Sequence, residues 1–214
     1  MKVIATNIGK ATSFLHNGKK ELTGIYKYPT PNPLFLGKTD VQNDSVIDRK
    51  HHGGVHKACY LFSSEHYPYW KKLYPKLDWD WGMFGENLTV QGLDESQIRI
   101  GDIYAIGSAV VQVSQPREPC YKLGVRFGDA KIIKQFIDYG YPGTYVRILE
   151  EGWATKGDAL VLKEMSANTL SIRECFNLIL AKEKDPISLQ KAIDNLALPE
   201  YKRERLLKYA LSKK

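Results

Sequence analysis

A cysteine framed by two prolines and an arginine is the group in this chain best suited to chemistry. It closes the run Ser114-Gln115-Pro116-Arg117-Glu118-Pro119-Cys120, which follows the strand-like segment from Val110 to Val113. Two prolines fix φ and forbid helix across the stretch, so the spacing predicts Cys120 on a stiff extended loop within reach of the Arg117 guanidinium. Nearby cations favour the thiolate, the species that ligates soft metals or attacks electrophiles. Most lone cysteines are inert small hydrophobes. Cys59 and Cys175, each inside an apolar run, fit that description.

A second cluster lies upstream, Asp44-Ser45-Val46-Ile47-Asp48 followed by His51-His52-Gly53-Gly54-Val55-His56-Lys57. Paired glycines let backbone approach a ligand closely and expose consecutive N–H groups, and Lys57 opens the next strand-like run. Such a turn suits a phosphate or a pterin edge. A zinc site of His51, His52, His56 and Cys120 is the alternative, but adjacent histidines on an extended chain point in opposite directions. A plain glycine turn with solvent-facing histidines stays open as well. A third cluster is Phe84-Gly85-Glu86-Asn87-Leu88, where an Asn amide can pair with a heterocycle edge and a carboxylate can orient a cation. Alone it reads equally well as a turn before a strand.

Length and composition bound the rest. The 214 residues allow one domain of ordinary size with a small appendage, and 43% hydrophobic with 26% charged residues excludes a disordered or fibrous chain. No apolar run approaches a membrane span, and the N-terminus lacks a signal-like stretch, so the cytoplasm is the expected location. Three widely spaced cysteines agree with a reducing compartment. The net charge of +7 suggests an anionic partner. From Met165 onward ten Lys and Arg face six Asp and Glu, with no dense basic run, so nucleic acid is disfavoured against a small phosphorylated ligand.

The elements that must position these groups are mostly strands. Val3-Ile4-Ala5 opens one, Asn17-Gly18 marks a hairpin, and Gly24-Ile25-Tyr26 is expected to continue it. Further runs start at Lys57, Asp102, Ala109, Tyr145 and Ala159, which implies a sandwich or barrel. Helices are expected over about 64–73 and 129–139. Gly101-Asp102 and Gly157-Asp158 read as turns, and the aromatic run His66 to Trp70 as core. Beyond Lys163 the pattern becomes helical. Ser171 and Glu174 have capping-box spacing, and further helices are expected over about 188–196 and 200–211. Residues 1–163 and 164–214 therefore form two units, with the helices bundled together or leaning on the β part.

Taken in order, the clusters resemble the MOSC domain, related to the C-terminal part of molybdenum cofactor sulfurases, and within it the YiiM-like branch. The matching residues are Asp44 and Asp48, His52 to Ala58, Phe84 to Leu88, Ile100 to Asp102 and Gln115 to Cys120. His56 before Lys57 and Glu118 beside Cys120 depart from the pattern, the latter placing an acid near the sulfur. The resemblance implies a mainly β, barrel-like domain with a few helices, followed by a three-helix C-terminal domain. It implies a pyranopterin molybdenum cofactor with Cys120 as ligand to molybdenum. Lys57 and Arg117 would then neutralise its phosphate or metal centre, Ser114 and Asn87 would bond the pterin, Glu86 would orient a cation, and His52, Gly53 and Gly54 would line the site.

The implied reaction is reduction of small N-hydroxylated compounds, including hydroxylaminopurine-type bases, a detoxification independent of pyridoxal phosphate. No flavin or NAD fingerprint is present, so a separate flavin-type or iron–sulfur reductase is expected. The basic appendage, with Lys202 and Lys208 as surface residues, is its expected docking face. A non-catalytic cofactor carrier, or a sulfur-relay protein using a Cys120 persulfide, is the rival reading. A homodimer is left open.

Overall fold

The computed structural model describes residues 1–213, apart from the side chains of Lys50 and His51. Among the described residues twelve strands and seven α-helices run in this order. Strands β1 (Lys2–Gly9), β2 (Thr12–His16), β3 (Lys19–Thr23), β4 (Lys27–Thr30) and β5 (Leu34–Leu36) precede the one-turn helix α1 (Arg49–His52). Then come β6 (Cys59–Ser63), α2 (Tyr67–Leu73), β7 (Leu88–Gln91), β8 (Ile103–Ile106), β9 (Ala109–Pro116), α3 (Tyr121–Phe127) and α4 (Ile132–Tyr139). The chain ends with β10 (Thr144–Glu150), β11 (Gly152–Ala154), β12 (Leu160–Glu164), α5 (Ile172–Leu180), α6 (Pro186–Asp194) and α7 (Glu200–Ser212).

The protein is mainly β, as expected. Eight strands form one sheet in the order β12-β8-β9-β10-β6-β7-β1-β4, with β6 and β7 parallel. The sheet curls so that the start of β12 meets β1, the neighbour of edge strand β4: Lys2 bridges Ala159, Val3 N–H donates to the Asp158 carbonyl at 2.9 Å, and Leu160 N–H donates to the Met1 carbonyl at 3.0 Å. Closure removes most of the free edge that an open sheet would expose. Strand β6 shows how the core is divided. All five residues are buried because Cys59 and Leu61 face an aliphatic core while Tyr60 and Phe62 face an aromatic layer. Successive side chains on a strand point to opposite faces, so burial on both sides needs an unbroken apolar run. The aromatic layer is closed by Trp70 from α2, Leu123 and Phe127 from α3, and Phe136 from α4.

Several local expectations hold. Asn17 and Gly18, both at positive φ, turn the β2–β3 hairpin. In the aromatic run His66, Tyr67 and Trp70 are core, while Tyr69 is exposed. Asp102 and Asp158 accept backbone N–H groups of their own turns, from Arg99 and Thr155. The capping box of Ser171 and Glu174 starts α5.

Others are corrected. The hairpin's second strand is Lys19–Thr23, and Gly24-Ile25-Tyr26 lies outside it. Helix α6 starts two residues earlier than expected, because Asp185 caps it by accepting from Ser188 N–H at 2.8 Å. Helix α3 was not foreseen. The three C-terminal helices lean on the barrel: Ile172, Cys175, Leu189 and Leu206 belong to the same aliphatic cluster as Val3 and Val111. Among the described residues no helix is long and apolar enough to cross a membrane.

Candidate active site

Strand β9 delivers Cys120. It pairs with β10 as far as Pro116, opposite Thr144, and then leaves the sheet. Cys120 sits at the N-cap of α3 with extended backbone, φ −125° and ψ 169°. Its side chain is half-buried. Cys59 and Cys175 are fully buried, and burial pushes both thiols up, that of Cys175 to about 12. Only Cys120 is placed to meet a ligand.

A cleft opens beside it. Cys120, His52, Lys57, Asn87, Arg117 and Lys122 line it, with Tyr60 and Tyr145 on one wall. An outer groove along Gln115, Glu118 and Tyr121 meets the cleft at Cys120. The cleft thus brings together five of the expected site residues, His52, Lys57, Asn87, Arg117 and Cys120. Lys122, Tyr60 and Tyr145 were missed. Tyr60 and Tyr145 are register partners in the β6–β10 pairing, which no local pattern reveals.

Arg117 is the centre of the positive wall. It is 6% exposed, with its guanidinium 5.3 Å from the Tyr60 ring and 5.5 Å from that of Phe136. Its Nη1 is buried with no hydrogen-bond partner among the described residues. Burial disfavours the charge, but Tyr60, Tyr145, Cys120 and Glu86 outweigh it and hold the guanidinium above its ordinary range. A donor left unpaired at that depth costs free energy unless something accepts from it.

His52 Nε2 lies 3.6 Å from the Cys120 sulfur. Burial, and then the charges of Arg117, Lys122 and Lys57, push its pKa down to about 4, against a smaller opposing effect of Asp48. The imidazole is therefore neutral near pH 7. Lys57 is lowered by burial and by Lys202, with Glu118, Cys120 and Asp48 opposing. Lys122, itself buried, stands 4.0 Å from Asp48. His56 points elsewhere. Its Nδ1 meets Arg147 Nη2 at 2.8 Å, so it does not join His52 and Cys120 in a zinc site. The His51 side chain of that alternative lies outside the described residues. Among the described residues no three His, Cys, Asp or Glu side chains gather as a metal cage.

Four expected site residues serve the frame. Ser114 donates to the His56 carbonyl at 2.7 Å, which ties the 3₁₀ turn Val55–Lys57 to β9 and so sets Lys57 beside the loop. Glu86 is wholly buried and accepts from Tyr67 Oη, Gly82 N–H, Phe84 N–H and Thr89 Oγ1 at 2.5–3.1 Å. Its role is to knot the loop before β7, and it forms no ion pair among the described residues. Gly54 adopts φ 90° and turns the chain toward Lys57, while Gly53 packs with its Cα face on Val46 and Arg49; neither lines the cleft. Asn87 does line it, with its amide engaged by Tyr60 N–H and Asp44. Asp44 in turn pairs with buried Lys27. Lys202 is the further correction. It is buried and ion-paired to Glu118, whereas Lys208 is exposed. That pairing also turns the acid of Glu118 toward α7.

The family model of the MOSC domain matches residues 48–161, a span that holds the β-turn-strand frame and the Cys120 loop together. The chain belongs to the MOSC family. It is 35% identical over 206 residues to the uncharacterized protein YflK of Bacillus subtilis, covering 96% of this chain and 93% of that protein. It is 35% identical to YiiM of Escherichia coli over 132 residues, 61% of this chain and 59% of that protein. The crystal structure of YiiM from Geobacillus stearothermophilus superposes with a TM-score of 0.81 at 32% identity, covering 97% of both chains. A protein of Gibberella moniliformis named a reductase is 32% identical over 185 residues, 85% of this MOSC chain but 32% of that protein.

Proposed function

We propose that this MOSC protein is a molybdenum-cofactor-dependent oxidoreductase that reduces N-hydroxylated compounds, hydroxylaminopurine-type bases among them, to the parent amine and water. Two electrons and two protons are consumed per turnover, the electrons coming from a separate flavin-type or iron–sulfur reductase. The observation that carries the reading is the meeting of the Cys120 sulfur with a buried, unpartnered Arg117 Nη1 at one cleft. MOSC domains are associated with molybdenum cofactor binding, and the fungal relative named a reductase supports the redox class.

The residues present fit that cofactor. When bound, it supplies two-electron redox chemistry and a metal position that accepts one further soft sulfur. Cys120 is the sulfur that would serve. Arg117, Lys57 and Lys122 offer the positive charge that a phosphate and an anionic centre require, and Arg117 Nη1 gains the acceptor it lacks. Neutral His52 holds its ring against the sulfur and brings no competing charge. Tyr60, Tyr145 and Phe84 wall the cleft against water.

Protein made in a molybdate-supplied host should carry about one molybdenum per chain with pterin fluorescence, and Cys120→Ser should lose nearly all of it. The loaded protein should reduce an N-hydroxylated base with a chemical reductant. Equal metal in parent and variant would overturn Cys120 as ligand. Full loading without turnover would favour the carrier or sulfur-relay reading.

A further inference from the structure

The helical appendage grips the Cys120 loop at two points. Lys202 of α7 forms its ion pair with Glu118, and the Tyr201 hydroxyl donates to Gln115 Oε1 at 3.0 Å. Gln115 Nε2 donates in turn to the His56 carbonyl at 3.1 Å. A continuous run of bonds therefore links α7, the loop and the turn that bears Lys57.

Folding alone gives no reason for a lysine here. The buried residues of α7 are Lys202 and Leu206, one helical turn apart, and an apolar residue at 202 would simply extend that anchoring face. An ammonium taken out of water is costly unless paired, and its partner Glu118 is half-exposed, so the pair itself adds little to folding. The lysine matters for what it holds. Glu118 is separated from Cys120 by Pro119 alone, whose fixed φ passes a restraint at 118 on to the sulfur.

We infer that Lys202 is a positioning residue for Cys120: through Glu118 it clamps the Arg117–Cys120 loop to α7, so that the C-terminal helices set where the sulfur stands in the cleft. The inference rests on Cys120 as the reactive group of the proposed function, but its test needs no bound metal.

The measurement is the alkylation rate of the full-length protein with iodoacetamide at a single pH, followed by intact mass. Cys59 and Cys175 are 1% and 0% exposed, so the label reports Cys120. Lys202→Met should raise the rate about tenfold, as losing the buried ammonium that anchors the half-exposed Glu118 carboxylate opens the segment it held. Lys202→Arg should restore a rate near that of the parent. Lys202→Met with Glu118→Gln should react no faster than Lys202→Met alone, because the two changes remove one interaction. Tyr201→Phe, a milder change, should raise the rate about two- to threefold through its single lost hydrogen bond.

A parent-like rate in Lys202→Met would overturn the inference, as would effects that multiply in the double variant. Should Lys202→Met fail to fold, parent-like rates in both Glu118→Gln and Tyr201→Phe would overturn it instead. Parent protein without molybdenum would sink the cofactor reading and leave these rates interpretable.

Discussion

The Cys120 sulfur stands 3.6 Å from His52 Nε2, and the imidazole is neutral because burial, and then the charges of Arg117, Lys122 and Lys57, disfavour its protonation. A neutral ring can orient the sulfur by a single bond without supplying a second charged ligand. His52→Ala should therefore weaken molybdenum retention about 10- to 100-fold, the range seen when a group supporting a metal ligand is removed. Cys120→Ser should do far more. Metal content after dialysis against a graded chelator ranks the two, and equal losses would show that His52 is itself a ligand.

Arg117 separates folding from binding. Its Nη1 has no hydrogen-bond partner among the described residues, and its guanidinium lies near the Tyr60 and Phe136 rings. Arg117→Met removes an unpaired donor worth about 1–3 kcal/mol of penalty while losing aromatic contacts of about 1–2 kcal/mol. The melting temperature of metal-free protein should thus barely move. The rise in melting temperature on loading should vanish. A large loss in the metal-free protein would mean that Arg117 is a folding residue.

Cys120 was legible because two prolines and an arginine have no other use so close together, and Lys57 because it opens a strand after a glycine turn. Lys122 was not, since it depends on α3, whose start just after Pro119 and internal Gly124 both disguise a helix. That glycine lets α4's lead-in pack 3.3 Å from where its Cβ would lie, at Ala130. Tyr60 and Tyr145 meet only through strand pairing between residues far apart in sequence. Glu86 and Ser114 misled for one reason. Their chemistry is visible in the sequence, but whether their oxygens are already spent on the frame is decided by packing.

Glu86 yields a direct test of that distinction. Four donors converge on its two oxygens inside the protein. Glu86→Gln keeps the shape but replaces an acceptor with an amide NH2 that must face donors, so it should cost about 2–4 kcal/mol by denaturant unfolding. Glu86→Gln protein that still folds should bind molybdenum as the parent does. Unchanged stability with lost binding would return Glu86 to the site.

Acid below the ordinary carboxylate range should loosen the helical appendage. Partial burial pushes the Glu174 carboxyl up, but the Ser171 backbone and hydroxyl and Lys191 together outweigh it and hold it below its ordinary value. The Ser188 backbone and hydroxyl hold Asp185 down likewise. A carboxyl with a depressed folded pKa adds stability that is present above its unfolded pKa and lost as pH falls through its folded one. Stability should therefore be flat near neutrality and decline in acid as the caps of α5 and α6 protonate. Circular dichroism melts from about pH 7 to about pH 3 should show that decline. Asp185→Asn, which retains a capping oxygen that does not titrate, should flatten it, as should Glu174→Gln. An acid slope identical in parent and both variants would place the acid-sensitive carboxyls elsewhere in the molecule.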